Sequence, residues 1–230
     1  MYVLLCASKG VIKYDFMKDL TLHLNRQQME KIVQQQAYPF KHLVNFPQEF
    51  ERVYTWSSVV EAYQAMKVYP ETRKIIEIGC GQAGVAAIQN MSFGCEIWLI
   101  DGNNPGDRTF GYEHAGSMEH YSTWHDLPET MERWGCDMSK IHFIDIPTAP
   151  SYDFPIVDLI QSFRSCGYHY PLSAYEFLFT KQNNDTRYLF TITDKQLKKE
   201  PGYLKDFEIE SKQPQIGATK INYYYMRSKK

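Results

Sequence analysis

A chain of 230 residues, 43% of them hydrophobic, can bury one substantial core and leaves little room for a second independent domain. Its 25 basic and 27 acidic residues give a formal charge of −2, which offers no global positive field to a phosphate backbone and disfavours nucleic acid as a partner. The five cysteines contain no Cys-x-x-Cys pair and are odd in number, which fits neither a disulfide framework nor a zinc site. With no stretch as long as a membrane span and no signal peptide, we predict a soluble, cytoplasmic protein.

Residues 1–56 are predicted to form a helical N-terminal appendage. The segment is rich in Gln and Lys, and from residue 12 onward its apolar residues recur at roughly helical spacing. These apolar residues are Phe16, Leu20, Leu22, Leu24, Met29, Ile32 and Val33.

Residues 57–230 are predicted to form one α/β domain. A helix starts at Ser57-Ser58 and ends near Pro70. Apolar β-type runs then alternate with helix-length segments, which favours a Rossmann-like, doubly wound and mainly parallel sheet. The predicted elements are residues 74–78, 83–91, 96–101, 127–134, 141–145, 157–162, 172–181 and 188–193. In the tail, residues 207–210 and 221–226 are β-rich with no helix between them, which predicts an antiparallel strand pair.

The most informative string runs from the first of these strands through a glycine turn into a helix of small residues. Its spacing satisfies G-x-G-x-x-G, and Asp101 lies at the distance of a ribose-binding carboxylate, so an NAD(P)-dependent oxidoreductase remains open. Glu77, two residues before the first glycine, would lie where a dinucleotide places its pyrophosphate, and like charges repel. An acid here favours S-adenosylmethionine, which carries an ammonium and a sulfonium.

Residues 77–83, Glu-Ile-Gly-Cys-Gly-Gln-Ala, resemble the first motif of the class I S-adenosylmethionine-dependent methyltransferases, with Ala83 in place of the last glycine. The order of strands and strand-end acids resembles that superfamily over about residues 57–228. The resemblance implies that Glu77, Gly79 and Gly81 contact the methionine portion of the cofactor. It implies that Asp101 binds the ribose hydroxyls and that Asp145 holds the adenine amino group. The cofactor-binding set also includes Cys80, Gly102 and Ser162. The three acids could instead be ordinary strand-end residues.

A second dense string, residues 158–171, leaves the fourth strand of the domain, at the edge where an open α/β sheet binds its ligand. Methyl transfer to a hydroxyl requires an aligned acceptor and removal of a proton, and a neutral imidazole suits the second task. We therefore predict that His169 and Arg164 are catalytic and that Tyr168 and Tyr170 bind substrate. The alternative is that His169 and Tyr170 cap a helix beginning at Pro171, with Arg164 paired to an acid.

The connection after Asp101 is long for a strand-to-helix loop and contains Arg108 and His114, which we also assign to substrate binding. No oxygen-ligand spacing is recognisable, so no metal is predicted. Residues 162–171 are similar to a string found in sugar O-methyltransferases. The predicted function is S-adenosylmethionine-dependent methyl transfer to a hydroxyl of a small molecule, with a sugar as the first candidate. A non-catalytic S-adenosylmethionine-binding regulator is a further alternative, and no oligomeric state is predicted.

Overall fold

The computed structural model describes residues 5–7, 10–12, 47–81, 83–102, 127–163, 165–167, 170–199, 202, 204–214 and 221–229. Its strands are β1 (Leu5–Ala7), β2 (Gly10–Ile12), β3 (Lys74–Ile78), β4 (Glu96–Asp101), β5 (Ile141–Asp145), β6 (Leu159–Ser162), β7 (Arg187–Thr193), β8 (Phe207–Pro214) and β9 (Ile221–Ser228). Its α-helices are α1 (Pro47–Val68), α2 (Gly84–Phe93), α3 (Leu127–Arg133), α4 (Glu176–Phe179) and α5 (Asp194–Lys199). Short 3-10 helices span Met138–Lys140, Ala149–Ser151 and Leu172–Tyr175.

Seven strands form one sheet in the order β5-β4-β3-β6-β7-β9-β8. Neighbours from β5 to β7 pair in parallel, whereas β9 runs antiparallel to both β7 and β8. The predicted Rossmann-like sheet with an antiparallel C-terminal pair is therefore confirmed. In the part of the chain that the structure describes, no helix combines the length and apolarity needed to cross a membrane.

The structure corrects two details of the N-terminal prediction. Residues 5–7 and 10–12 pair as an antiparallel hairpin, so this part of the predicted appendage is extended and not helical. Helix α1 begins at Pro47 and not at Ser57, so the predicted boundary at residue 56 falls inside a continuous helix. Proline is well suited to the first helical turn, where its missing N–H has no partner to lose, and the Ser57-Ser58 pair is therefore an interior feature. The rest of the predicted appendage, residues 13–46, lies outside the described residues.

The two faces of the sheet are covered by different elements because strand side chains alternate. Ile75, Leu99 and Leu159 lie in a core with α1, α2 and α3, which we call the first face. Ile76 and Ile160 lie in a second core with the segments around the 3-10 helices and α4, which we call the second face. Both faces of the central strands are buried, as is typical of parallel sheets.

The strand order reverses at one place in the sheet, between β3 and β6. The chain continues from β3 to β4 and β5 on one side, and then returns to add β6 on the opposite side of β3. In open α/β sheets, ligands bind in the crevice outside the carboxyl ends of the strands at such a reversal. The loops that follow Ile78 and Ser162 therefore flank the expected ligand crevice.

A core substitution in the strand beside that reversal tests the packing. Ile160 is fully buried, whereas Ile156, a few residues earlier, is 56% exposed. We expect Ile160→Ala to lower the free energy of unfolding by about 2–5 kcal/mol, since it removes buried methyl groups and leaves a cavity. The matched variant Ile156→Ala should change it by less than about 0.5 kcal/mol. Urea titration followed by circular dichroism measures both, and equal effects would contradict the described packing.

Candidate functional site

The turn between β3 and α2 is a tight bend built from left-handed backbone. Gly79, Gly81 and Ala83 have φ of 69°, 52° and 52°, at alternating positions of the bend. Ala83 is the N-cap of α2, and its N–H donates to the Cys80 carbonyl over 2.8 Å. A left-handed residue other than glycine costs roughly 1–2 kcal/mol, so the bend is held against its local preference at Ala83.

Gly79 is also the place where two loops meet. A Cβ at this residue would overlap the Cβ and Oγ of Ser165, in the loop after β6. The Gly79 N–H donates to the Ile100 carbonyl at the end of β4 over 2.7 Å. From the sequence, we predicted that a ligand contacts this glycine. In the structure, Ser165 occupies the space where its side chain would lie.

Asp101 connects the bend to the end of β4. Its Oδ2 accepts from the Gly81 N–H over 2.6 Å, and its Oδ1 accepts from the Gly102 N–H over 2.8 Å. Withdrawal from water raises the pKa of the Asp101 carboxyl, the two backbone N–H groups lower it, and the charge of Asp145 raises it further. Each carboxylate oxygen has a second lone pair, so Asp101 can hold the bend and still accept hydrogen bonds from a ligand.

Glu77 is a buried acid in the middle of the sheet. It is 3% exposed, and by strand alternation its side chain lies on the first face, beneath α1 and α2. Desolvation raises its pKa to about 8, the hydrogen bond from Gln161 opposes this, and the charges of Glu61 and Asp101 raise it further. Within the described part of the chain, no Lys, Arg or His forms an ion pair with Glu77. Among the described residues, the group is therefore an acid without a cationic partner.

A pair of glutamines supports this acid. Gln161 lies opposite Glu77 in the β3–β6 register, and its Nε2 donates to the Glu77 Oε2 over 3.1 Å. Gln89 on α2 and Gln161 exchange two amide hydrogen bonds, of 2.9 and 2.7 Å. Both glutamines are fully buried. The two mutual bonds prevent either amide from turning alone, and in this arrangement a donor of Gln161 faces the carboxyl.

The other predicted cofactor residues lie nearby with different roles. The Ser162 hydroxyl donates to the Ile78 carbonyl and accepts from the Cys166 N–H, both over 2.8 Å, so it joins the ends of β3 and β6. Burial raises the pKa of the Cys80 thiol well above its ordinary value. Asp145 is half-buried and pairs in register with Asp101. Gly102 has open space where a Cβ would lie. Of the predicted cofactor residues, Glu77 and Asp101 therefore lie together beside the glycine bend, whereas Ser162 has a structural role.

Of the predicted substrate and catalytic residues, the structure describes Tyr170. Its N–H donates to the Ser165 carbonyl over 3.1 Å, and its carbonyl accepts from the Gly167 N–H over 2.8 Å, so the loop after β6 folds back on itself. The turn that follows is the 3-10 helix Leu172–Tyr175, whose N-cap is Pro171. The alternative in which Tyr170 caps a helix beginning at Pro171 is not what the structure contains. The remaining residues of this set lie outside the described residues, namely Arg164, Tyr168, His169, Arg108 and His114.

Sequence reasoning missed the partners of the buried acid. Gln89, Gln161 and Glu61 were read as parts of apolar helices and strands, and Ser165 received no role. A signal was present for Gln161, which interrupts an apolar strand at the position where every residue is expected to be buried. A buried polar side chain in such a strand requires a partner, and the partner is Glu77.

The comparisons with known proteins agree on the fold. No protein-family model matches the chain, and no curated protein matches it by sequence. Among solved structures, the ribosomal protein L11 methylase from Lactobacillus delbrueckii subsp. bulgaricus is 17% identical, with 76% of this chain and 78% of that chain covered and a TM-score of 0.53. The SAH-bound methyltransferase PaMTH1 of Podospora anserina is 11% identical, with 89% and 95% covered and a TM-score of 0.51. An MtNAS mutant in complex with S-adenosylmethionine is 9% identical, with 88% and 70% covered and a TM-score of 0.50. The chain therefore has the Rossmann-like fold of these proteins.

Substitution of Gly79 tests the contact between the two loops. We expect Gly79→Ala to lower the free energy of unfolding by roughly 2–5 kcal/mol, because the new methyl group overlaps Ser165 and the residue keeps a positive φ. Gly135→Ala is the matched control, since its φ is 91° with open space around it, and strain alone should cost it about 1–2 kcal/mol.

The double variant Gly79→Ala/Ser165→Gly separates the two causes. It removes the overlap and leaves the backbone strain, so its stability should return to within about 1–2 kcal/mol of the unmodified protein. Thermal and urea unfolding measure all three variants. No recovery in the double variant would show that the two loops do not meet at these residues.

Proposed function

We propose that this chain is an S-adenosylmethionine-dependent methyltransferase that acts on a hydroxyl of a small molecule. The observation that carries the proposal is the buried Glu77 carboxyl, which lies beside a glycine bend at the topological reversal of the sheet and lacks a cation among the described residues. Two proteins of the same fold support it, since one is bound to SAH and the other is in complex with S-adenosylmethionine.

The residues present fit this cofactor. Its ammonium and sulfonium supply positive charge to a region where three acids, Glu61, Glu77 and Asp101, influence one another. The second lone pairs of the Asp101 oxygens suit a ribose diol, and no described atom lies within 4 Å of the position that a Gly102 Cβ would take. We assign the adenine amino group to Asp145, which lies beside Asp101 in the sheet. Gly79, Cys80 and Gly81 form the backbone that the methionine portion follows.

The acids also argue against the dinucleotide alternative. A pyrophosphate at the start of α2 would lie close to Glu77 and Asp101, so either acid would repel it when ionised, and it would bring no cation to Glu77. A cationic nucleoside fits this site better than an anionic one.

When bound, S-adenosylmethionine supplies a methyl group on a positively charged sulfur. The tasks left to the protein are to align the acceptor oxygen with that methyl group and to remove the hydroxyl proton. We assign proton removal to His169 and acceptor alignment to Arg164, Tyr168 and Tyr170, because these residues follow β6 at the crevice. Arg108 and His114 complete the proposed acceptor pocket.

The acceptor class rests on charge and on sequence. A formal charge of −2 disfavours a nucleic acid substrate, and the run of residues 162–171 resembles sugar O-methyltransferases. The fold itself selects no acceptor, since one protein of the same fold is a methylase of a ribosomal protein. We propose a sugar hydroxyl as the first acceptor to test and a cytoplasmic location for the enzyme.

Ligand binding tests the cofactor. In a calorimeter at about pH 8, we expect S-adenosylhomocysteine to bind and NADH to give no signal. Glu77→Gln should weaken S-adenosylhomocysteine binding by about ten- to a hundredfold, because a hydrogen bond to a charged group is lost. The control Glu71→Gln, which alters an acid whose side chain is 94% exposed, should bind normally. Binding of NADH alone would replace this proposal with the oxidoreductase.

Methyl transfer tests the reaction. With donor labelled on the methyl group, a screen of sugars, nucleosides and small phenols should yield a labelled product. His169→Ala should then lower the rate by about 10²–10⁴-fold at saturating donor, as for loss of a general base. His142→Ala is the matched control, since His142 pairs with Glu96 on the outer strands and should leave the rate unchanged. An unaltered rate in a folded His169→Ala protein rules out its catalytic role, and donor binding with no product from any acceptor favours the regulator.

A further inference from the structure

Glu77 faces groups from every element packed around it. Glu61 comes from α1, Gln89 from α2, Asp101 from β4 and Gln161 from β6, and the Cys80 thiol follows the strand that carries Glu77 itself. Among these described neighbours, the ionisable groups are acids and a thiol, and the remaining two are neutral amides. The surroundings therefore oppose a negative charge on Glu77.

A carboxyl group in such surroundings has two stable conditions. Without a cation it takes up a proton, because a buried and unpaired charge is more costly than a neutral acid. With a cation against it the carboxylate is favoured, because the attraction in a medium of low dielectric constant offsets the loss of hydration. The described residues give Glu77 no cation, which is the first condition, and a bound ammonium group would provide the second.

The Gln89–Gln161 pair gives the carboxyl a partner in both conditions. Gln161 donates to Oε2, and an amide N–H can donate to a carboxylate oxygen or to the carbonyl oxygen of a protonated acid. The two bonds between the glutamines prevent the Gln161 amide from turning on its own, because that would place oxygen against oxygen and nitrogen against nitrogen. The pair thus holds the carboxyl in one place while its charge changes.

We propose that binding of a cationic ligand at this site is coupled to release of one proton from Glu77, and that Gln161, fixed by Gln89, is the positioning residue for this exchange. The inference rests on the proposed function, since it takes the ammonium group of the cofactor as the cation. It adds a dependence on pH that the fold alone does not imply.

The coupling fixes the form of the pH dependence. Since burial raises the pKa of Glu77 to about 8, the free protein is mainly protonated below that pH. Affinity for the cationic ligand should then rise about tenfold per pH unit between about pH 6 and 7 and level off above pH 8. Close to one proton per site should be released at about pH 6.5.

Calorimetry with S-adenosylhomocysteine, which has the ammonium group, tests this directly. Titrations at about pH 6.5 in buffers of different ionisation enthalpy give the number of protons released. We expect a value near one for the unmodified protein and for Glu71→Gln, and near zero for Glu77→Gln. Gln161→Leu removes the bond that favours the carboxylate, so its affinity plateau should move to higher pH. A purely structural role for Gln161 would weaken binding equally at every pH.

A measurement without ligand keeps the two proposals separable. The folded protein binds a proton at Glu77 that the unfolded chain releases near pH 4.5, so this group's contribution to the free energy of unfolding should decrease as pH rises from about 4.5 to 8. Glu77→Gln should lack this decrease, whereas Glu71→Gln should retain it.

Parallel pH profiles for Glu77→Gln and the unmodified protein would overturn the proton exchange, as would S-adenosylhomocysteine binding without proton release. A normal stability profile with no S-adenosylhomocysteine binding at any pH would overturn the proposed function and, with it, the coupling to this ligand.

Discussion

The structure depends on the close approach of two loops at the carboxyl ends of β3 and β6. Gly79 lets Ser165 occupy the space of its missing side chain, and the Ser162 hydroxyl joins the same two strand ends. Because β3 and β6 lie on either side of the reversal in strand order, this contact lies at the sheet edge where open α/β proteins bind their ligands. Glu77 lies two residues before Gly79 and is therefore positioned relative to that contact.

Asp101 has a comparable double position. Its carboxylate accepts one backbone hydrogen bond from Gly81 in the glycine bend and one from Gly102 after β4, and in the proposed function the same oxygens bind the ribose. A site in which the ligand-binding carboxylate is already held by the loop is preorganised, because the carboxylate does not have to move when the ligand binds. Burial of Glu77, in contrast, has an energetic cost. An acid kept away from water destabilises the folded chain, and in the proposed function a bound cation offsets this cost.

The sequence predicted the sheet well, because β3, β4 and β5 are short apolar runs with clear glycine or polar ends. It placed the start of α1 ten residues late, because two serines resemble a helix cap and Pro47 was not weighed as a first-turn residue. In the candidate site, Glu77 and Asp101 were predicted from their distance to the glycines, and the structure shows both as acids beside the glycine bend. The Gln89–Gln161 pair could not be predicted, because it joins two residues 72 positions apart whose meeting depends on the packing of α2 against the sheet.

The left-handed Ala83 has a consequence for how such bends are recognised. A pattern that demands glycine at this third position would pass over the chain, although its backbone turns through the same region of conformational space. The bend is defined by a series of positive φ angles, which glycine adopts most readily but which alanine also adopts here. Proteins that share a fold can therefore differ in the residues of a sequence motif while keeping the backbone conformation that the motif describes.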